Sequence, residues 1–300
     1  MDNPPIQIPM GRPEELPREG LPSPEHPDPD NPPYGIWSAL GLLLMSFALM
    51  GVLQGVFVVA YAVYHHVPLA TQAVAQFAIK DAGAIAMALV ALVVAHALTL
   101  ALAWVLVTRV GKFPFLRTLG WDWGAGLTFW RSVGLALLLY GCGVLIIWAT
   151  GSPENELERI LRSSRTAALI TAFAATFTAP IVEEIVFRGM LYSALQRLLG
   201  AVGAVTVVFL LFALIHVPQY LPSYGVIATI LLLSFVLTLV RARTGRLLPC
   251  VAIHTVFNGI QSLGIVFAPY LEKLFPEQAP PAPDPGLLVE LIIKLFHSAW

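Results

Sequence analysis

Seven long apolar segments dominate this sequence, and they restrict the chain to a fold built within a lipid bilayer. Hydrophobic residues make up 57% of the 300 residues and charged residues only 12%, whereas a typical soluble domain has about 25% charged residues. Each segment approaches the ~20 residues that a helix needs to cross a membrane. We therefore predict an all-α fold, a polytopic transmembrane helix bundle. The segments are 35–63, 83–107, 132–150, 167–187, 202–217, 224–240 and 247–268.

The predicted number of spanning helices is about seven. An eighth would require the long region 35–81 to fold as two passes. Near the C-terminus, the segment LLVELIIKLFH places Glu290, Lys294 and His297 on one stripe at helical spacing. This segment is too short to span, so we expect a short amphipathic helix in the membrane interface.

Proline-rich stretches flank the predicted bundle. Residues 1–34 hold 11 of the 24 prolines, and we expect a disordered cytoplasmic tail there. The bundle then occupies 35–268, and a proline-rich linker with the interfacial helix occupies 269–300. The net charge of −1 and the lack of a basic block argue against a nucleic acid partner. Cys142 and Cys250 lie in apolar segments and are interpreted as small core residues, not as a disulfide.

Basic residues are divided unevenly between the two sides of the membrane that the predicted helices cross. Eleven of the 17 Lys and Arg residues fall on the N-terminal side and six on the other. This bias predicts a cytoplasmic N-terminus. Arg241, Arg243 and Arg246 belong to the excess, and we interpret them as topology signals. The abundance of Ala, Leu, Val, Gly and Pro is typical of a bacterial protein, so we expect the inner (plasma) membrane.

Polar residues interrupt three of the apolar segments in the second half of the chain. Glu183 and Glu184 occur in IVEEIVFRGMLY, His216 in FLLFALIHVP, and His254 with Asn258 in VAIHTVFNG. A carboxylate at membrane depth costs at least ~2.5–3.5 kcal/mol, so such residues usually mark function. Three costly polar positions on three segments indicate a buried hydrolytic or metal site.

Helix geometry predicts that these residues meet. If the chain reverses near Leu199–Gly200, Glu183 lies 16 residues before the turn and His216 lies 16 residues after it. At ~1.5 Å per residue, both are ~24 Å from the turn and at one height on neighbouring helices. Glu184 and Arg188 form an i, i+4 pair in the favourable order. This pairing leaves Glu183 to face a cavity.

Each feature also has a purely structural interpretation. A Glu–Arg pair in a bundle can be a structural ion pair, and a lone histidine in a membrane helix more often hydrogen-bonds a neighbouring helix. We give His96, in AHALTLAL, that interpretation. His65 and His66 lie at a segment end and receive the same one. The combination is stronger than its parts because the three segments place their polar residues at compatible depths.

Three motifs occur in a fixed order on these segments: VEEIVFRG with Glu183, Glu184 and Arg188, then FALIH ending at His216, then HTVFN with His254 and Asn258. This order resembles the CPBP intramembrane proteases, which include the CAAX prenyl endopeptidases and the Abi, or bacteriocin self-immunity, proteins. The resemblance covers about 165–262 and shows no departure at the motif positions.

The resemblance implies an intramembrane CAAX-type peptidase, of a glutamic or a metallo mechanism, that acts on a peptide or protein at the membrane. Glu183 would be the general base, and His216 would assist it. His254 and Asn258 would stabilise the oxyanion, while Glu184 and Arg188 would orient Glu183. Glu183, His216 and His254 could instead supply a zinc site. No H-E-x-x-H motif is present, and a metal-free or metal-optional glutamate mechanism is favoured.

Two other classes of protein remain open from the residues. A proton-coupled transporter also uses intramembrane Glu, His and Asn residues, although the segment pattern shows no inverted repeat. A non-catalytic immunity or scaffold protein could use the same fold to bind a partner peptide. Substitution of Glu183 and His216 distinguishes an enzyme from a scaffold, because only an enzyme would lose cleavage.

Overall fold

The computed structural model describes residues 27–124, 126–151 and 153–274, and these residues form a bundle of helices. The bundle begins with α1 (Ile36–Tyr64), α2 (Thr71–Lys80), α3 (Ala82–Thr108), α4 (Phe115–Leu119), α5 (Phe129–Thr150) and α6 (Glu156–Ser163). One long helical stretch follows, made of α7 (Arg165–Phe173), the π-helical segment π1 (Ala174–Thr178), α8 (Ala179–Glu184), the second π-helical segment π2 (Ile185–Leu191) and α9 (Tyr192–Tyr220). The last described helices are α10 (Tyr224–Thr244) and α11 (Leu248–Leu274). No strand occurs among the described residues, so the all-α prediction is confirmed.

Within the described residues, six helical stretches are long and apolar enough to cross a membrane. The fourth, Arg165–Tyr220, is 56 residues long and contains Gly200 at φ 70° and ψ 174°, which is not helical. The rings of Phe187 and Phe212 lie 5.1 Å apart on either side of this glycine. The stretch therefore folds back at Gly200. The described residues then contain seven apolar helical segments, in agreement with the predicted number of spanning helices. The protein is a multi-pass integral membrane protein.

The region 35–81 does not fold as two passes. α1 uses 29 residues in one continuous helix, and α2 has only 10 residues, which at ~1.5 Å per residue is too short to span. The eighth spanning helix that this region would have supplied is therefore not formed. The predicted interfacial helix with Glu290, Lys294 and His297 lies outside the described residues.

The predicted disordered tail is wrong at its C-terminal end. Residues 27–34 pack against the bundle, with Tyr34 5% exposed, while residues 1–26 of the predicted tail lie outside the described part. The Tyr34 hydroxyl donates to the carbonyl of Gly189 (2.9 Å), and Arg241 donates to the carbonyl of Pro29 (2.9 Å). Arg197 also donates to the carbonyls of Pro32 and Tyr34. Proline lacks a helical N–H but keeps its carbonyl, so this extended segment can accept these hydrogen bonds.

Residues 27–34, termed the N-terminal strap, contact the backbone of π2. The Tyr34 hydroxyl donates to the carbonyl of Gly189. Arg241, which also binds the strap at Pro29, donates to the carbonyl of Arg188. Burial raises the pKa of the Tyr34 phenol above its ordinary range, so the hydroxyl stays protonated and remains a donor. The strap thus satisfies a carbonyl in a segment where the regular α-helical ladder is interrupted.

Small residues let several helices approach closely, as is common in membrane bundles. A Cβ atom added at Gly225 of α10 would lie 3.1 Å from the Cα of Ile147 and would also meet the hydroxyl of Thr150, both on α5. Gly143 of α5 faces the methyl group of Thr229 in the same way. The α5–α10 contact forms one wall of the cavity described below.

Gly225→Ala is expected to lower the melting temperature in detergent, because the added methyl group meets backbone that cannot move without separating α5 from α10. Overpacking of this kind costs about 1–3 kcal/mol, which corresponds to a decrease of several degrees. Gly141→Ala is the matched control, since nothing lies within 4 Å of a Cβ at that position on α5. Equal melting temperatures for the two variants would contradict the proposed close contact.

Candidate active site

A cavity of about 570 Å³ lies among the helices, and its walls carry the polar residues that interrupt the apolar segments. Most of its lining is apolar and comes from α1, α3 and α5 to α11. The polar lining includes Glu183, His216, His254 and Asn258. The three motif-bearing segments therefore converge on one cavity, as their spacing predicts.

Glu184 and Arg188 form a fully buried ion pair. Arg188 Nη1 donates to Glu184 Oε1 at 2.9 Å, and neither side chain is exposed. Arg188 also donates to the hydroxyls of Ser234 (2.8 Å) and Thr238 (3.2 Å) and to the carbonyl of Ser234 (3.1 Å) on α10. The predicted i, i+4 pair is confirmed, and α10 supplies the other hydrogen-bond acceptors that a buried guanidinium needs.

His254 connects the two glutamates. Its Nδ1 lies 2.8 Å from Glu184 Oε1, and its Nε2 lies 3.8 Å from Glu183 Oε2. Because Glu184 is already paired with Arg188, it acts as the acceptor, and Nδ1 carries the proton. Arg188, Glu184 and His254 thus form a chain that ends at Glu183, with His254 positioned between the two carboxylates.

The two adjacent glutamates lie in different environments. Glu184 is completely buried, whereas the Glu183 side chain is 25% exposed and lines the cavity. Consecutive residues on a helix point about 100° apart, so one carboxylate faces the neighbouring helices and the other faces the space between them. Glu183 is the carboxylate that a molecule in the cavity can reach.

His216 on α9 also presents one ring nitrogen to the cavity. Its Nδ1–H donates to the carbonyl of Phe212 at 2.7 Å, which leaves Nε2 without a hydrogen as an acceptor. The Phe212 ring lies 4.7 Å from the imidazole and 4.3 Å from the guanidinium carbon of Arg188. Phe212 therefore lies between the buried Arg188 and the imidazole of His216 and holds the orientation of His216.

Pro180 explains why the helix is irregular beside the glutamates. Proline lacks the N–H that an α-helix requires, so a regular ladder cannot pass through this position. The preceding residues form the π-helical segment π1, where Asn258 Nδ2 donates to the carbonyl of Ala175 at 3.0 Å. Such π-helical turns often occur at functional sites. One N–H of the Asn258 amide is therefore used to hold π1, and the other is left for the cavity.

Residues 165–260 match the family described as Rce1-like, type II CAAX prenyl endopeptidase. This segment is therefore similar to the CAAX proteases. The match runs from the start of α7 into α11 and confirms the family indicated by the three motifs. It contains all six predicted site residues, namely Glu183, Glu184, Arg188, His216, His254 and Asn258. Comparisons with curated proteins and with solved structures found no match.

The residues predicted as a zinc site do not form one in the matched segment. Among the described residues, no three or more His, Cys, Asp or Glu side chains are arranged so that they could hold a metal ion. Glu183 and His254 approach each other, but His216 does not complete a set of three ligands with them. The arrangement of the described side chains therefore does not support the metalloprotease interpretation.

Two site features escaped the sequence interpretation. Arg241 was interpreted as a topology signal, yet it is only 1% exposed and donates to the carbonyl of Arg188 (3.2 Å) and the hydroxyl of Ser193 (2.9 Å). Its position at the end of an apolar segment is also typical of a flanking basic residue, so sequence could not distinguish the two. His96 bonds Thr178 across helices, as predicted, but it also lines the cavity.

Proposed function

We propose that the protein is an intramembrane endopeptidase that hydrolyses a peptide bond of a membrane-associated or lipidated protein or peptide. The observation that carries this proposal is that the two adjacent glutamates lie in different environments. Glu184 is held by Arg188 and His254, and Glu183 is left in the cavity. An ion pair with only a structural role would not require the second, costly carboxylate beside it.

Glu183 is the proposed general base. It takes a proton from the attacking water as the water oxygen bonds to the carbonyl carbon of the substrate. The same proton then passes to the amide nitrogen as the C–N bond breaks, which yields an amine and a carboxylic acid that keeps the second proton of the water. His216 supports this step because its Nε2 can accept a hydrogen bond from the same water.

The charges of the site favour a proton shared between Glu183 and His254. Glu183, Glu184 and Arg188 contain two acidic groups and one basic group, so one more proton makes the buried cluster neutral. A neutral cluster avoids an uncompensated charge in a region of low dielectric. With that proton on His254, its Nε2–H becomes a donor directed toward the reacting atoms.

The face of α11 that carries His254 and Asn258 stabilises the oxyanion. A protonated His254 and the second N–H of Asn258 are one helical turn apart and can both donate to a developing negative charge in the cavity. Asn258 also holds π1 through Ala175. Its role in this proposal is therefore both to bind the oxyanion and to position the segment that precedes Glu183.

The family description and the apolar cavity support a substrate with an apolar segment or a lipid group, such as a prenylated cysteine peptide. We further propose a bacterial inner (plasma) membrane location with a cytoplasmic N-terminus. The excess of basic residues on the side of the membrane that holds the N-terminus supports that orientation.

The test is hydrolysis by the full-length protein, purified in detergent, of quenched fluorescent octapeptides made with and without a farnesylated cysteine. In water enriched in ¹⁸O, one heavy oxygen atom should enter the new carboxylate of the product, as measured by mass spectrometry. Because no step requires a metal ion, phenanthroline should leave the rate unchanged. Absence of cleavage of every peptide would contradict the proposal and would favour a scaffold or transporter instead.

A further inference from the structure

His96 lies outside the matched segment but within the same cavity. It belongs to α3, is 5% exposed and lines the cavity together with Glu183. The Glu183 carboxylate is near enough to act electrostatically on the imidazole. A hydrogen bond of 2.8 Å joins His96 Nδ1 to the hydroxyl of Thr178, which ends π1.

The partner of His96 determines which ring nitrogen carries the hydrogen. The Thr178 hydroxyl donates its own hydrogen to the carbonyl of Ala174 at 3.2 Å. In this orientation the hydroxyl offers only lone pairs to the imidazole, so Nδ1 of His96 is the donor. Nε2 of the neutral ring then has no hydrogen and acts as an acceptor. Within the described part of the chain, no group donates to that nitrogen.

This arrangement is the same as that of His216. In both residues, Nδ1–H is bound to an acceptor of the protein, Thr178 for His96 and Phe212 for His216, and Nε2 is left as a free acceptor at the cavity. The two histidines lie on different walls, because His96 is on α3 and His216 is on α9. Two walls of the cavity thus offer an imidazole acceptor.

A peptide in an apolar cavity needs such acceptors. Each backbone N–H that leaves water without a new partner carries a free-energy penalty. Two other polar side chains of the lining are already used: Asn258 donates to Ala175, and Asn155 accepts from the backbone of Glu158. His96 therefore offers an acceptor from α3, a helix that carries none of the three motifs.

We propose that His96 is a substrate-binding residue whose Nε2 accepts a hydrogen bond from a backbone N–H of the peptide. This inference rests on the proposed function. It adds to the six motif residues a contact that comes from α3, outside the matched segment. A role that only ties α3 to π1 would need the bond to Thr178 but no contact with substrate.

The experiment compares amide and ester forms of the octapeptide that the wild-type protein cleaves fastest. In each ester form, one backbone N–H outside the scissile bond is replaced by oxygen, which removes one donor. For the wild-type protein, one of these esters should lower kcat/KM about tenfold, the value of one hydrogen bond. His96→Phe should lower kcat/KM about tenfold for the amide, with no further loss for that ester.

Two variants keep the test independent of folding. His96→Gln places an amide oxygen near the position of Nε2, so it should retain the sensitivity to the ester. His65→Phe makes the same change at the exposed histidine that follows α1 and should behave like the wild-type protein. If His96→Phe still cleaves the peptide and its loss of kcat/KM adds to the loss caused by every ester, this inference is overturned and the proposed function is not. A wild-type protein that cleaves no peptide would overturn the proposed function and this inference with it.

Discussion

Glu183→Gln is expected to lower kcat/KM for peptide cleavage by about 10³-fold, within the range that a general base contributes. Glutamine has nearly the same shape as glutamate but cannot take the proton from water. Since the side chain is one-quarter exposed and Glu184 holds the buried ion pair, the variant should fold normally. Its melting temperature and its binding of the fluorescent peptide, measured by anisotropy, should match those of the wild-type protein.

Glu158→Gln is the matched control for this prediction. Glu158 is on α6 and lines the same cavity, so the change removes an equal charge from the same space. It does not belong to the proposed reaction site, and its cleavage rate should stay within a few-fold of the wild-type rate. Equal losses in the two variants would show that cavity charge, and not a general base, controls the reaction. Retention of more than a tenth of the activity in Glu183→Gln would also contradict the proposed role.

Arg188→Met is expected to cause the largest loss of stability, about 3–5 kcal/mol, because it leaves the buried Glu184 carboxylate without its ion-pair partner. The change also leaves the hydroxyls of Ser234 and Thr238 without this donor and removes the guanidinium from the ring of Phe212. The melting temperature in detergent should decrease by roughly 10 °C. Cleavage should be lost with it, since Glu184 and His254 would no longer be oriented.

A double substitution distinguishes the effect of the unpaired buried charge on stability from the effect of the lost packing. Glu184→Met combined with Arg188→Met removes both partners, so no unpaired charge is left, and part of the stability should return. Arg243→Met on the exposed face of α10 is the control for removing an arginine, and it should change the melting temperature little. A double variant that is no more stable than Arg188→Met would show that packing, and not the ion pair, explains the loss.

Much of the fold follows from the sequence because the bilayer restricts it so strongly. Apolar segments must form helices in order to satisfy their own backbone, so their number and approximate bounds can be predicted. The reversal at Gly200 is also predictable, because a glycine at φ 70° tolerates a conformation that other residues rarely adopt. The equal spacing of Glu183 and His216 about that turn places them on one cavity.

The sequence could not show how the N-terminal strap behaves. A proline-rich composition predicts disorder when the segment is considered alone. In the structure, Arg241 and Arg197 supply donors for its carbonyls, and Tyr34 finds an acceptor in π2. These partners lie more than 150 residues away in the chain, so no local pattern predicts them.

The sequence by itself determined which polar residues lie within membrane-spanning segments: two glutamates, two histidines, an asparagine and an arginine on three apolar segments. Only the tertiary structure decided their separate tasks. Neighbouring positions on one helix are chemically equal until other helices pack around them. Glu184 bonds Arg188 of π2 and His254 of α11, and Ser234 of α10 accepts from Arg188, whereas Glu183 meets the cavity. The same packing brought His96 from a helix with no motif to that cavity, because side chains distant in sequence share a site only once the helices are assembled.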